Sequence, residues 1–371
     1  MTDSAEGPTQ SKYVAYSDEL ESIPPDEDEL IDDIVKALRE NNERSFRRHQ
    51  HATRDAHAKS HGILRGELTV DSDLPEHLRQ GLFATPATYP VIARLSVTAG
   101  VIRSDQVHGV RAMAIKVLGV SGPRAQKDDH RSQDFIMVDS STFPFANVRK
   151  YAENMGFASR LAKTPDPVLK ATNIVLRGIA VALKPFRLKL PERVALFARP
   201  NNHVLGETYH SAAPLRYGDY VAKISVAPLS ESVTNLRGKR IARGTGYDAL
   251  TKAVADFFEK NSAEYEVRAQ LCTDPAVMPI EDATKEWPEI LSPHQRVAKL
   301  TFPAQKVNSP ARRVYGDDTL SFNSWNGLAA HRPLGGINRL KIKVYNASSE
   351  YRHWMNNVEP TEPTDISELP D

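Results

Sequence analysis

Tyr89-Pro-Val-Ile-Ala-Arg-Leu-Ser-Val-Thr-Ala-Gly100 and Arg111-Ala-Met-Ala-Ile-Lys-Val117 are the two stretches on which the reading of the fold turns. Both run with a strand period. Val91 to Thr98 predicts one strand, and Val110 to Val120 a longer one with Met113, Ile115 and Val117 on a single face. Working outward, Ile63, Leu64, Leu68 and Val70 form a strand before them, and Phe135 to Val138 one after. These strands are short and separated by clusters of Pro, Gly, Ser and Asp. That spacing suits an antiparallel sheet or barrel rather than a doubly wound parallel sheet. Strands return at Tyr220 to Val226, Glu266 to Cys272 and Gln295 to Phe302.

Helices frame this core. Pro24 and Pro25, then Asp26, Glu27 and Asp28, form a helix-start signal, because proline and acid sit where orphan N–H groups need negative partners. Ile31, Ile34, Val35 and Leu38 then recur at helical spacing, so about 26–42 reads as an amphipathic helix. Residues 145–190 predict two helices, roughly 147–162 and 167–183, divided at Lys163-Thr-Pro-Asp-Pro167. The second, with Leu169, Ile174, Leu176, Ile179 and Leu183, reads as core-packed, with a lid or a lipid-facing surface as the alternative. Further helices are expected at about 246–260 and 337–356. The organisation is α+β: an N-terminal arm with one helix (1–45, disordered to about 22), a β-barrel domain (46–310), C-terminal helices (311–357) and a flexible, acidic, Pro-rich tail (358–371).

Composition narrows the class. A chain of 371 residues is ample for a large core, and its 40% apolar and 26% charged residues exclude collagen-like, mucin-like and wholly disordered chains. The net charge is +1, too small for a strong field toward nucleic acid or anionic membrane. Prolines (25) outnumber glycines (19), which favours rigid turns and argues against a glycine-rich phosphate cradle. The one cysteine, Cys272, excludes an intrachain disulfide, a multi-Cys zinc site and an iron–sulfur cluster, and reads as an inert buried thiol. The polar N-terminus has no apolar signal core. No apolar run reaches the ~20 residues of a membrane span, the longest, Asn173 to Leu183, being interrupted by Arg177. A cytoplasmic protein is expected.

The densest polar cluster is Arg47-Arg-His-Gln-His-Ala-Thr-Arg-Asp-Ala-His-Ala-Lys-Ser-His-Gly62, which holds four of the twelve histidines. It reads either as a solvated basic approach to the first strand or as a site. A metal centre made of His49 and His51 lacks a carboxylate or cysteine at ligand spacing. Arg94 and Ser96, two residues apart, share one side of their strand.

Several of these segments resemble the haem catalases, in collinear order over about residues 45 to 356. Arg54-Asp-Ala-His57-Ala-Lys-Ser is similar to the distal Arg-x-x-His-Ala-Lys-Gly motif, and 89–100 to the strand Pro-Val-x-x-Arg-x-Ser-x-x-Ala-Gly. Arg111-Ala-Met-Ala-Ile-Lys116 and Gln133-Asp-Phe135 follow. Gly206-Glu-Thr-Tyr209, Pro214-Leu-Arg-Tyr-Gly218, Pro279-Ile-Glu-Asp282, Trp287-Pro288 and His331-Arg-Pro-Leu-Gly-Gly-Ile-Asn-Arg339 resemble the small catalase-related haem peroxidases.

The resemblance implies an antiparallel eight-stranded β-barrel of catalase type, with surrounding and C-terminal helices. It implies haem b between the barrel's inner face and the helix bearing Tyr345. By this resemblance His57 is the distal acid–base group and Ser96 its hydrogen-bond partner. Arg54 and Arg94 pair with the propionates, and Tyr345 is the iron ligand, with Lys341 one turn earlier as its positive neighbour. The family more often has arginine there. It also carries a distal asparagine where this chain has Asp139, Ser140 or Ser141, a change that weakens dismutation of two peroxides more than peroxidase turnover.

The implied activity is a haem peroxidase, an oxidoreductase that reduces hydrogen peroxide or organic hydroperoxides and oxidises a small organic donor, with residual catalase activity. Two alternatives stand beside it: rearrangement of a fatty-acid hydroperoxide, as in catalase-related allene oxide synthases, and a non-enzymatic haem-binding protein. Partners are peroxide and donor, not nucleic acid. A homo-oligomer is left open.

Overall fold

The computed structural model describes residues 12–156, 164–186, 188, 190, 194, 198–242 and 246–371. Nine strands form one antiparallel sheet: β1 (Ser60–Val70), β2 (Thr88–Val97), β3 (Arg111–Leu118), β4 (Ser132–Val138), β5 (Tyr209–His210), β6 (Leu215–Tyr217), β7 (Tyr220–Pro228), β8 (Ala263–Leu271) and β9 (Gln295–Phe302). β1 pairs with both β2 and β9. The two-residue β5 joins Val138 of β4 to Val226 of β7 through His210 and Tyr209, and so closes an eight-stranded barrel. β6 hairpins onto β7 outside that ring.

Alternation decides which side chains enter the barrel. Val91, Ala93 and Leu95 of β2 and Met113, Ile115 and Val117 of β3 belong to the large interior cluster, with Ile224, Tyr265, Val267 and Leu300 from the opposite wall. Their neighbours point out. Ile92 packs with Ile63, Leu118, Leu320 and Leu369 in a separate outer cluster. His331 is also interior, its ring 5.6 Å from those of Phe83 and Tyr217. Its Nε2 accepts the Leu82 N–H at 2.9 Å.

Four longer helices pack outside: α1 (Glu27–His49), α2 (Asp166–Leu183), α3 (Ala249–Phe258) and α4 (Gly336–Asn356). Ile31 and Ile34 of α1 meet Leu340 and Val344 of α4, and Arg339 is gripped by Glu21, Glu27 and Glu281. The helix read over 147–162 is formed at Val148–Ala152, and residues 157–162 lie outside the described residues.

Three expectations change. Residues 12–22, read as disordered arm, are docked: Val14 N–H donates to the Cys272 carbonyl, Ala15 bridges to Tyr220, and Tyr16 lies under Arg216. The acidic tail holds defined contacts. Glu362 bonds the buried Lys116 at 2.6 Å, and Leu369 is buried against the barrel. Helix α2, read as core-packed, buries only Leu169 and Asn173.

The loop before β1 docks on the far end of β2. His57 N–H donates to the Thr98 carbonyl (3.3 Å) and Ala58 N–H to that of Ala99 (3.1 Å). Gly100 permits this approach, since a Cβ there would lie 1.9 Å from the Asp55 carbonyl oxygen.

Gly100→Ala should therefore lower the thermal midpoint through an overpacking cost of about 1–3 kcal/mol or more. An unchanged calorimetric midpoint would show that the loop shifts freely. His331 supplies a second test. Burial pushes its pKa down to about 4, below the ~6.5 of an unfolded histidine. The unfolded chain then takes up a proton that the folded chain refuses, so stability is lost as pH falls from about 6.5 toward 4, by roughly 3 kcal/mol for this one group. His331→Phe leaves the Leu82 N–H without its acceptor and costs about 1–3 kcal/mol at pH 7, but the gap to the unsubstituted chain should narrow in acid. Denaturant titrations at pH 7 and 4.5 read this, and parallel losses at both values would refute it.

Candidate functional site

Four segments meet outside the barrel: the 54–58 loop, the outer face of β2, a single π-helical turn at Tyr315–Thr319, and one face of α4. Because Leu95 points into the barrel, Arg94 and Ser96 point out. The expected placement of the site on the barrel's inner face is thus corrected: apolar side chains fill that interior, and the predicted residues gather on its outer wall.

His57 stands in left-handed backbone (φ 58°), a strained choice for a side chain of its size. The strain is held by Arg94, whose Nη1 donates to the His57 carbonyl (2.9 Å) and whose Nη2 donates to that of Ala58 (3.3 Å). The Ser96 hydroxyl lies 3.2 Å from His57 Nδ1. Nε2 has no hydrogen bond among the described residues. Burial, then the charges of Arg94, Arg54 and Lys341, push the imidazole pKa down to about 3, so the ring is neutral at ordinary pH.

The predicted arginines also converge. Arg94 Nη2 pairs with Asp317 at 2.9 Å. Arg54 donates to the carbonyls of Gly316, Asp317 and Leu320 and stands 3.7 Å from the Asp317 carboxylate. A third guanidinium, Arg352, was not anticipated. It is buried, donates to the carbonyls of Asp317 and Asp318 and to the Ser321 hydroxyl, and leaves Nε without a partner. Burial and Arg94 lower its pKa to about 10. Beside the cluster opens a cleft of about 340 Å³, bordered by Thr53, Arg54, Ala58, Ile102 and Asp317.

On α4, Lys341, Tyr345, Ser348 and Arg352 form one stripe at helical spacing. Ser348 ties this stripe to the loop, donating to Asp55 Oδ1 (2.8 Å) and accepting the Asp55 N–H (3.4 Å). Tyr345 thereby lies close enough to feel the Asp55 charge. Burial first, then Asp55 and Tyr151, raise its pKa. Lys341 does not bond to Tyr345 among the described residues. Its Nζ donates to Asn338 Oδ1 (3.2 Å) and lies 5.7 Å from the Phe143 ring centre, and burial lowers its pKa to about 8.

Between these walls the packing is incomplete. Ala114 is the one residue of β3 that is not buried, and Ile136 and Val138 are likewise half-buried on β4. Ile136 lines a cleft with Asn338 and Lys341 of α4. At the position expected for an asparagine, Asp139 accepts the Arg111 N–H, and the Ser141 hydroxyl donates to Glu286. His51 pairs with Asp318 and His61 with Thr251, so the histidines of the basic cluster part company. Burial pushes the Cys272 thiol up to about 11.

No protein-family model matches the chain, and no curated protein matches it. Solved structures do. A fungal catalase is similar over 95% of this chain and 68% of its own, with 15% identity and a TM-score of 0.57. Catalase A from Saccharomyces cerevisiae matches over 95% and 70%, at 16% identity and a TM-score of 0.56. A bacterial catalase matches over 98% and 70%, at 15% identity and a TM-score of 0.56. A closed antiparallel barrel of eight strands, outer helices and this chain-long likeness together give the protein the fold of the catalases.

Proposed function

We propose that this chain is a haem peroxidase built on the catalase fold. It reduces hydrogen peroxide or an organic hydroperoxide and oxidises a small organic donor. The observation that carries the reading is the meeting of three elements: the His57 loop, Arg94 and Ser96 of β2, and the α4 stripe of Tyr345 and Arg352, which Ser348 ties to Asp55 of that loop.

The residues fit an iron porphyrin. Small side chains, Ala112 and Ala114, pair with Ser96 and Arg94 across the ladder and offer a smooth floor for a flat ring. Arg352 has a buried Nε with no partner, and three guanidiniums share the carboxylates of Asp317 and Asp318, the second also paired with His51, so the cluster can take further anionic oxygen. Two propionates would supply it, held by Arg54, Arg94 and Arg352. The Tyr345 phenolate oxygen would hold the iron. Lys341, turned to Asn338, would not hydrogen-bond that phenolate as it stands.

When bound, haem supplies the redox centre at which the O–O bond is cleaved. His57 moves the proton: Nε2 takes it from the near peroxide oxygen and returns it to the departing one. Ser96 fixes the ring while this happens. Two electrons and two protons per peroxide balance the reduction to water and alcohol, or to two waters, and the donor supplies the electrons. Asp139 and Ser141, turned to Arg111 and Glu286, are not free to orient a second peroxide, which favours donor oxidation over dismutation.

Reconstitution with haem should give a Soret band, and Tyr345→Phe should change its position or abolish it. His57→Ala should keep the band but lower kcat/KM for peroxide by ~10²–10⁴-fold. The unsubstituted rate should stay flat from about pH 5 to 8, because His57 is already neutral there. Absence of haem uptake sinks the proposal. Oxygen release outpacing donor oxidation would assign catalase activity instead, and donor-free consumption of a lipid hydroperoxide would assign rearrangement.

A further inference from the structure

Helix α2 presents an apolar face to solvent. Val168, Ile174, Val175, Ile179 and Val181 are 43–61% exposed, and Phe186, just beyond the helix, is 74% exposed. The face carries one hydroxyl, and Thr172 spends it on the Val168 carbonyl at 2.9 Å. The helix is pinned at its start, where Asp166 meets Arg103 (3.4 Å) and accepts the Ser104 N–H. From Pro167 to Pro191 the sequence has no acidic residue and five cations: Lys170, Arg177, Lys184, Arg187 and Lys189. Three of these follow the helix within six residues. The chain's near-zero net charge conceals this local excess.

We propose that α2, with the exposed Lys184 at its end, forms a docking surface for an anionic lipid bilayer, with the apolar face in the headgroup–acyl boundary and the local excess of cations in the sequence favouring acidic phospholipids. An exposed apolar helix face beside Lys and Arg is the pattern of a helix lying in the interface plane. Spanning is not required of it, since no described helix is long and apolar enough to cross a membrane. A second copy of the chain fits less well. A two-fold contact sets a surface against itself, and this stretch of sequence has no acidic residue to meet its own cations.

The test is flotation of the full-length protein with phosphatidylcholine vesicles, with and without phosphatidylglycerol. The protein should float only with the acidic vesicles, and added salt should release part of it. Lys184→Glu, at an exposed position beyond the helix, should weaken binding at least about fivefold, the worth of one cation near such a surface. The double substitution V175E/I179E should abolish binding with an unchanged thermal midpoint. No flotation with acidic vesicles overturns the proposal. So does a dimer in vesicle-free solution that V175E/I179E converts to monomer.

Discussion

Three buried or half-buried guanidiniums around the Asp317–Asp318 turn are the constraint from which the rest of this structure follows. Arg54, Arg94 and Arg352 come from a loop, a strand and a helix, and they share Asp317 and the carbonyls of the 316–320 turn. Like charges this close repel in a medium of low polarity. The arrangement holds because the π-helical turn aims several carbonyl oxygens at one spot, a backbone shape more common at functional sites than elsewhere. Burial first, and then the positive field that remains, drive the neighbouring imidazole to its neutral form. Anionic groups bound at the arginines would relax part of that field.

The filled barrel explains why the site lies where it does. Interior side chains from all walls leave the barrel as a solid support. A strand has two faces, and β2 uses both: Leu95 anchors it inward, while Arg94 and Ser96 work outward. Precision at His57 is therefore borrowed from the most rigid part of the molecule. The second wall, α4, is set by α1 and by the triple carboxylate grip on Arg339.

Much of the barrel was legible. Gln295–Phe302 and Val91–Val97 alternate or run apolar over enough residues for the period to declare itself, and α4 begins within one residue of its expected start. β5 and β6 were not legible, because two or three residues carry no period. The docked arm and tail were hidden by polar composition, since a few apolar side chains such as Tyr13, Val14 and Leu369 suffice to seat them. At the site, motifs pointed to His57, Arg94 and Tyr345, but Asp55, Asp317, Ser348 and Arg352 escaped. A signal for two of them existed. Ser348 and Arg352 continue the stripe begun by Lys341 and Tyr345, and a search for polar as well as apolar stripes on α4 would have found them. Asp317 depends on a chain reversal with no local signature.

The closure of the barrel has a bearing on how the chain comes to be folded at all. β1 is made early, yet one of its edges is satisfied only by β9. Its outer face is covered by Leu369, and the buried Lys116 of β3 finds its second carboxylate at Glu362. During synthesis the first half of the protein must wait, with an open strand edge and a buried lysine held by Asp134 alone, until β9 and Glu362 have been made. A fold of such long-range pairing is slow to form and exposed to misassembly in the interval, which makes it a natural client for chaperones that shield nascent chains.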